Sequence, residues 1–204
     1  MERKTQSRYL VLADISGYTS FVAQTEIEHA GLACSYLLET IVEKLDDLFT
    51  IAKLEGDAVF AYVEESKLED CQRLLDLIDQ TYLAFREKAL DLHEHTTCPC
   101  KACKTLPSLD LKIMLHHGEF VIQQVAGIRD LLGTDVNLIH RLLKNGVSEA
   151  TGWKGYALFT DQALEHMQCS KDNYFRRCET YEHLGDVNIY CRDMHVRYEE
   201  MKAS

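Results

Sequence analysis

Two aspartates stand where an apolar, strand-forming run meets a glycine-bearing turn. Asp14 lies in Ala13-Asp14-Ile15-Ser16-Gly17-Tyr18-Thr19, and Asp57 lies in Lys53-Leu54-Glu55-Gly56-Asp57-Ala58. A carboxylate held among apolar residues is costly unless something positive compensates it. Two of them beside flexible glycine backbone suggest a divalent cation holding a phosphate-bearing ligand, since hard cations take carboxylate oxygens. Either aspartate alone reads as a turn former that caps backbone amides. The pair, in matching contexts, reads as a metal site.

Two further sets of residues carry chemistry. Asn137 and Arg141 are four apart in a helical pattern and share a face, with Leu138 and Leu142 directed toward the core. A lone pair of this kind is also what an ordinary solvated helix face looks like. The segment His93-Glu94-His95-Thr96-Thr97-Cys98-Pro99-Cys100-Lys101-Ala102-Cys103 places three cysteines within six positions, just after two histidines. His93, His95, Cys98, Cys100 and Cys103 can together offer four ligands to a structural zinc. A reduced loop without a ligand and a redox-sensing dithiol remain alternatives.

The elements that must position these groups follow from periodicity. Tyr9 to Ile15 reads as a central buried strand. Gly31 to Phe49 is an amphipathic helix, with Leu32, Tyr36, Leu37, Ile41, Leu45 and Leu48 as its apolar side. Ile51 to Val63 is a hairpin turning at Gly56. Ser66 to about His93 is a long helix opened by a Ser66/Glu69 capping box. Leu109–His117 and Glu119–Val125 read as a strand pair turning at Gly118. Thr134 to Asn145 is a helix terminated by Gly146. Tyr156 to Phe159 is a strand leading into a helix through Met167, and Phe175 to Cys191 is a last hairpin turning near Gly185-Asp186. Helices against one face of a mainly antiparallel sheet give an α+β sandwich of ferredoxin-like type.

At 204 residues the chain suits a single domain carrying an insertion at about 93–107. Its 46% hydrophobic content supports a real core, and two prolines and ten glycines argue against linkers. A net charge of -11 disfavours nucleic acid, whose phosphates select basic surfaces. It leaves room for a nucleotide whose charge a metal masks. The apolar run from Tyr9 to Ile15 is too short to span a membrane and lacks a cleavage pattern, so no membrane association is expected. Eight cysteines without a secretion signal point to a reducing cytoplasm, with core filler or metal ligand ahead of disulfide as their roles. Cys34 and Cys71 sit at apolar helix positions and read as core.

Four motifs in order resemble those of the class III nucleotidyl cyclase catalytic domain, the fold of adenylate and guanylate cyclases. They are Asp14-Ile15-Ser16-Gly17-Tyr18-Thr19, Lys53-Leu54-Glu55-Gly56-Asp57-Ala58, His116-His117-Gly118-Glu119, and the segment from Asp130 through Gly133 and Asn137 to Arg141. Each is weak alone, and the order and element context make the set specific. The resemblance covers roughly residues 9 to 192.

The resemblance implies roles. Asp14, Asp57 and the backbone of Ile15 would hold two Mg2+ or Mn2+ ions, and Gly17, Tyr18 and Thr19 would receive phosphate. Lys53 and Asp130 would read the base, a combination that favours adenine over guanine. Asn137 would orient the ribose, and Arg141 would neutralise charge on the reacting phosphate, as its permanent planar fork allows. The implied reaction is attack of the ribose 3′-oxygen of a nucleoside triphosphate, most naturally ATP, on its α-phosphorus, with release of pyrophosphate. The two groups of residues come from different subunits in the family, which implies a head-to-tail homodimer.

Three features depart from the family. The last hairpin offers only His183 where a basic residue often meets the terminal phosphates. His140 is bulkier than the residues common at that place. The Cys/His insertion resembles one in bacterial proteins of uncharacterised function with a cyclase-like core. Two other readings therefore stand beside the enzyme: a cyclase-like nucleotide-binding or dimerisation module of weak or no activity, and a zinc-stabilised or redox-responsive interaction protein.

Overall fold

Twelve residues of the first strand, Thr5–Ser16 (β1), pair along their whole length with the sixteen-residue strand Asp110–Val125 (β4), in register from Thr5 opposite Val121 to Ser16 opposite Asp110. This is a computed structural model that describes residues 5–63, 67, 71–95, 98 and 100–203. The expected Ser66/Glu69 capping box lies outside the described residues.

Around this pair the sheet is built from Thr50–Glu55 (β2), Ala58–Val63 (β3), Ile128–Leu132 (β5), Tyr156–Thr160 (β6), Phe175–Tyr181 (β7) and Gly185–Asp193 (β8). The order is β2-β3-β1-β4-β6-β8-β7, with β5 paired to β4. Among the described residues only the β4–β6 pairing is parallel. The mixed α+β architecture with a mainly antiparallel sheet is the one expected.

Two cores flank the sheet because β1 alternates its side chains. Tyr9, Val11, Ala13 and Ile15 pack against the long helices Ile27–Asp46 (α2) and Cys71–Glu94 (α3). In α2 the buried residues are Ala30, Ala33, Cys34, Leu37, Ile41 and Leu45, one face of a helix. The helix starts a turn before Gly31, and Leu32 and Tyr36 lie on its exposed side. Leu10 and Leu12 face the other way, toward Thr134–Arg141 (α5) and Val147–Thr151 (α6). The long helices thus share one face of the sheet, and the short crossover helices between β4 and β6 cover part of the other.

The expected turn at Gly118 is absent: β4 runs straight through it, and the chain turns at Ala126 and Gly127 into β5. Gly118 answers a different need. A Cβ there would lie 2.4 Å from Cβ and Cγ of Asp135, so glycine lets α5 approach the strand. Gly146 opens α6 with φ −95 and does not supply the left-handed stop expected after α5, which instead tightens into a 3-10 turn over Leu142–Lys144. The helix Asp161–His166 (α7) follows β6, and the last hairpin turns at 182–184. The C-terminal helix Met194–Ala203 (α8) follows β8 directly. Arg197 Nε donates to Asp79 Oδ2 at 2.7 Å, fastening α8 to α3.

Candidate active site

β1 carries Asp14 to the end of the sheet on the same face as Leu10 and Leu12, opposite Ala58 on one side and Lys112 on the other. Asp57 sits in the turn joining β2 to β3, after Gly56. The amide of Ile15 donates to the carbonyl of Asp57 at 3.1 Å, locking the two acidic turns together. Gly17, with φ +87, then swings the chain into Tyr18–Gln24 (α1).

Burial pushes the Asp14 carboxyl up to about 6, and the negative charge of Asp57 adds to the rise while Lys112 opposes it. Burial also raises Asp57, against a hydrogen bond to its own backbone. The thiol of Cys34, on α2 beneath the site, is pushed up to about 11 by burial and by Asp57. Two carboxylates that burial holds above their usual range, one of them burdened by the other's charge, form with backbone carbonyls at a strand end a donor set that fits a hard divalent cation.

Beside this site, Lys53 Nζ lies 3.4 Å from Asp130 Oδ1 and 2.8 Å from Glu55 Oε1. Asp130 is on β5, opposite Gln123 of β4. His140 Nδ1 is 3.2 Å from Glu55 Oε2, and its ring packs on Phe60 with centroids 4.8 Å apart. The bulk of His140 is thereby accommodated, and burial lowers its pKa. Asn137 and Arg141 are exposed on α5, while Val136 and Ile139 anchor that helix to the sheet. Asp135 fixes its start: Oδ2 accepts the Glu119 amide at 2.6 Å, and Oδ1 lies 3.2 Å from His116 Nε2. His116 Nδ1 in turn meets Thr160 Oγ1 at 2.9 Å. The His116–Glu119 signature and the α5 segment are therefore one hydrogen-bonded unit.

A cleft of about 770 Å3 opens where β1 ends, bordered by Gly17, Ser20, Lys101, Lys104, Lys112 and Lys154. Four lysines line this one cleft of a chain with net charge -11, which makes its surface locally positive. His183 of the last hairpin is 88% exposed. Sequence reasoning passed over these lysines because they are scattered along the chain and belong to no motif.

The cysteine-rich insertion folds into Lys101–Thr105 (α4), capped by the Cys100 thiol, which accepts the Cys103 amide at 3.4 Å. Cys98, Cys100 and Cys103 gather with His29 of α2, their ligand atoms all within 4.8 Å of one another. The two expected histidines play other parts. His93 Nδ1 meets the Cys103 carbonyl at 2.8 Å, and His95 Nδ1 meets the Asp91 carbonyl at 3.1 Å. His29 is about seventy residues away in sequence, beyond the reach of any spacing argument. The Cys100 thiol is drawn down to about 7, first by the Cys103 amide and also by His29. Cys71 is not core filler: it forms a disulfide with Cys169, across a sequence separation of 98. Among the described residues no helix is long and apolar enough to cross a membrane.

Three kinds of likeness bear on this geometry. Residues 34–151 match the family described as "Protein of unknown function (DUF2652)". The "Uncharacterized protein Rv2561/Rv2562" of Mycobacterium tuberculosis is 33% identical over 163 residues, covering 78% of this chain and 72% of that protein. Among solved structures, the guanylyl cyclase Cya2 superposes with a TM-score of 0.73 at 16% identity, covering 94% of this chain and 93% of that one. The adenylyl cyclase CyaB from P. aeruginosa gives 0.64 at 17% identity, covering 95% and 99%. The catalytic core of a rhodopsin-guanylyl cyclase with converted specificity, in complex with ATPalphaS, gives 0.66 at 18% identity, covering 93% and 97%. The chain thus belongs to the DUF2652 family of proteins of unknown function, and its fold is that of the class III adenylyl and guanylyl cyclase catalytic domains.

Proposed function

We propose that this protein is a nucleotidyl cyclase that converts a nucleoside triphosphate, most naturally ATP, to its 3′,5′-cyclic monophosphate and pyrophosphate. The observation that carries the reading is the joining of Asp14 to Asp57 through the Ile15–Asp57 hydrogen bond, on the sheet face that also bears the Lys53–Asp130 pair.

Asp14, Asp57 and the carbonyl of Ile15 would hold two Mg2+ or Mn2+ ions. When bound, the ions supply charge that lowers the pKa of the ribose 3′-hydroxyl and neutralises the phosphates. The chain's own groups do the positioning. Gly17, Tyr18 and Thr19 receive the phosphates, and Lys112 and Lys154 in the adjoining cleft balance the triphosphate tail. Lys53 donates to a purine ring nitrogen, and Asp130 accepts from the exocyclic amine of adenine. Asn137 orients the ribose. Arg141 faces the α-phosphate, where charge grows as the 3′-oxygen bonds to phosphorus and the bond to the pyrophosphate oxygen breaks. The hydroxyl proton leaves to solvent.

Exposure around the base-reading pair supports assembly of each site from two copies. Exposed apolar side chains at Leu54, Val125, Ile128 and Leu132 surround the Lys53–Asp130 pair, as befits a surface that a second copy covers. A head-to-tail homodimer gives two equivalent sites. The protein is expected to work in the cytoplasm, where nucleoside triphosphates and Mg2+ are abundant.

The test is incubation of the purified protein with Mn2+ and each nucleoside triphosphate, measuring cyclic product and pyrophosphate. Product that disappears in Asp57→Ala and Arg141→Ala, with the fold retained, supports the enzyme. Saturable nucleotide binding without turnover supports a nucleotide-binding module instead.

A further inference from the structure

We infer that His29, Cys98, Cys100 and Cys103 form a structural zinc site that clamps the cysteine-rich insertion onto α2. His29 Nδ1 lies 3.2 Å from Cys100 Sγ and 3.3 Å from Cys98 Sγ, and all four ligand atoms fall within 4.8 Å of one another. Around a tetrahedral zinc with Zn–S near 2.3 Å and Zn–N near 2.0 Å, neighbouring ligand atoms stand about 3.5–3.8 Å apart. The four atoms are therefore already close to the geometry the ion requires. The three cysteines stand outside the disulfide, so the set can supply soft anionic donors, and three sulfurs with one imidazole are the Cys3His set of closed structural sites.

The surroundings support a clamp. α4 is only five residues long, too short to hold its place by its own hydrogen bonds. Its anchors include the buried Ala102, the contact of the Cys103 carbonyl with His93, and the bond from the Ala102 amide to Glu26 Oε2 at 3.3 Å, at the N-terminus of α2. An ion on His29 would add a second tie between the same two elements. Cys100 and Cys103 face α2, while Lys101 and Lys104 border the cleft beside Gly17. The ion thus fixes the wall from which these lysines project. Nothing in this inference depends on cyclase activity.

The test is metal analysis of the full chain purified under reducing conditions without chelator, or refolded with Zn2+. About one zinc per chain is expected, retained in His93→Ala and His95→Ala and lost in His29→Ala and Cys103→Ser. Because a ligand variant can fail to fold, the wild-type protein is also exchanged with Co2+. A tetrahedral cobalt spectrum with thiolate charge-transfer bands is expected. Hydrogen exchange over residues 100–105 should accelerate at least about tenfold when a chelator removes the ion. Substoichiometric zinc in both preparations, zinc lost with His93 and kept without His29, or unchanged exchange after metal removal would each overturn the clamp.

Discussion

The amide of Ile15 donates to the carbonyl of Asp57 across 3.1 Å, and this one bond holds two carboxylates in a place where neither is comfortable as an ion. Asp14 has an ordinary value near 3.8 in the unfolded chain and about 6 in the folded one. The folded state therefore binds that proton more tightly. The advantage is complete below the unfolded value and is lost as pH rises through about 6, leaving ionised Asp14 with a cost of about 3 kcal/mol near pH 7.5. Asp14→Asn is expected to raise the unfolding free energy of the metal-free protein by about 1–3 kcal/mol at pH 7.5 and to change it little at pH 4. Added Mn2+ should stabilise the wild type and leave the variant unmoved. Urea titrations at the two pH values measure this, and a variant less stable than wild type at pH 7.5 contradicts it.

Lys53 is shared between Glu55 and Asp130, with the shorter contact to Glu55. A base that engages Lys53 must compete with Glu55, so substitution should touch recognition before chemistry. Lys53→Ala is expected to lower kcat/KM for ATP by about 10- to 100-fold, the loss of one or two hydrogen bonds, and to narrow the difference between ATP and GTP. Steady-state kinetics with both nucleotides tests this. Undiminished discrimination would remove Lys53 from base reading.

Gly118 and Asp135 make a lock between β4 and α5. Gly118→Ala drives a methyl group into the Asp135 side chain and should cost about 1–3 kcal/mol. Asp135→Ala removes the acceptor of the exposed Glu119 amide and the contact with His116, and frees the start of the helix that carries Asn137 and Arg141, at about 0.5–1.5 kcal/mol. His116 beside it holds the Asp135 carboxyl below its usual value, so its contribution is present above the unfolded value and fades as pH falls through the folded one. Denaturant midpoints for both variants at neutral and acid pH decide the matter, and wild-type stability for either would refute the lock.

The Cys71–Cys169 disulfide ties the start of α3 to the segment after α7. Closing a loop of this length stabilises a domain by about 2–4 kcal/mol. Reductant is expected to lower the melting temperature by several degrees, and Cys71→Ser should abolish that response. A melting curve indifferent to reductant would show that the bond contributes nothing.

Much of this molecule was legible beforehand because its signals are local. The run from Tyr9 to Ile15, the hairpin at Gly56 and the face of the helix around Leu37, Ile41 and Leu45 each announce themselves within a few residues. What escaped reading depends on distant partners. Gly118 looks like a turn until Asp135 is seen to fill the space beside it. Ile128–Leu132 is too short and too polar to read as a strand without β4 to pair with. His29 sits on a helix face with no hint of the thiols that come to meet it, and Cys71 shows no sign of Cys169. The four lysines of the cleft share no spacing at all. Pairings that belong to a set of motifs, such as Lys53 with Asp130, were expected from the sequence, and groupings outside any motif were not.

The most direct measurement mixes two disabled chains. Asp57→Ala lacks half of the carboxylate pair, and Arg141→Ala lacks the arginine that, in the proposed dimer, a second copy contributes to that pair. Co-refolded in equal amounts, half of the dimers contain one of each, and each such dimer has one intact site. The mixture is expected to show about a quarter of wild-type cyclase activity, while each variant alone shows essentially none. A mixture as inactive as its components, with both variants folded and the wild type active, would contradict a site shared between two chains.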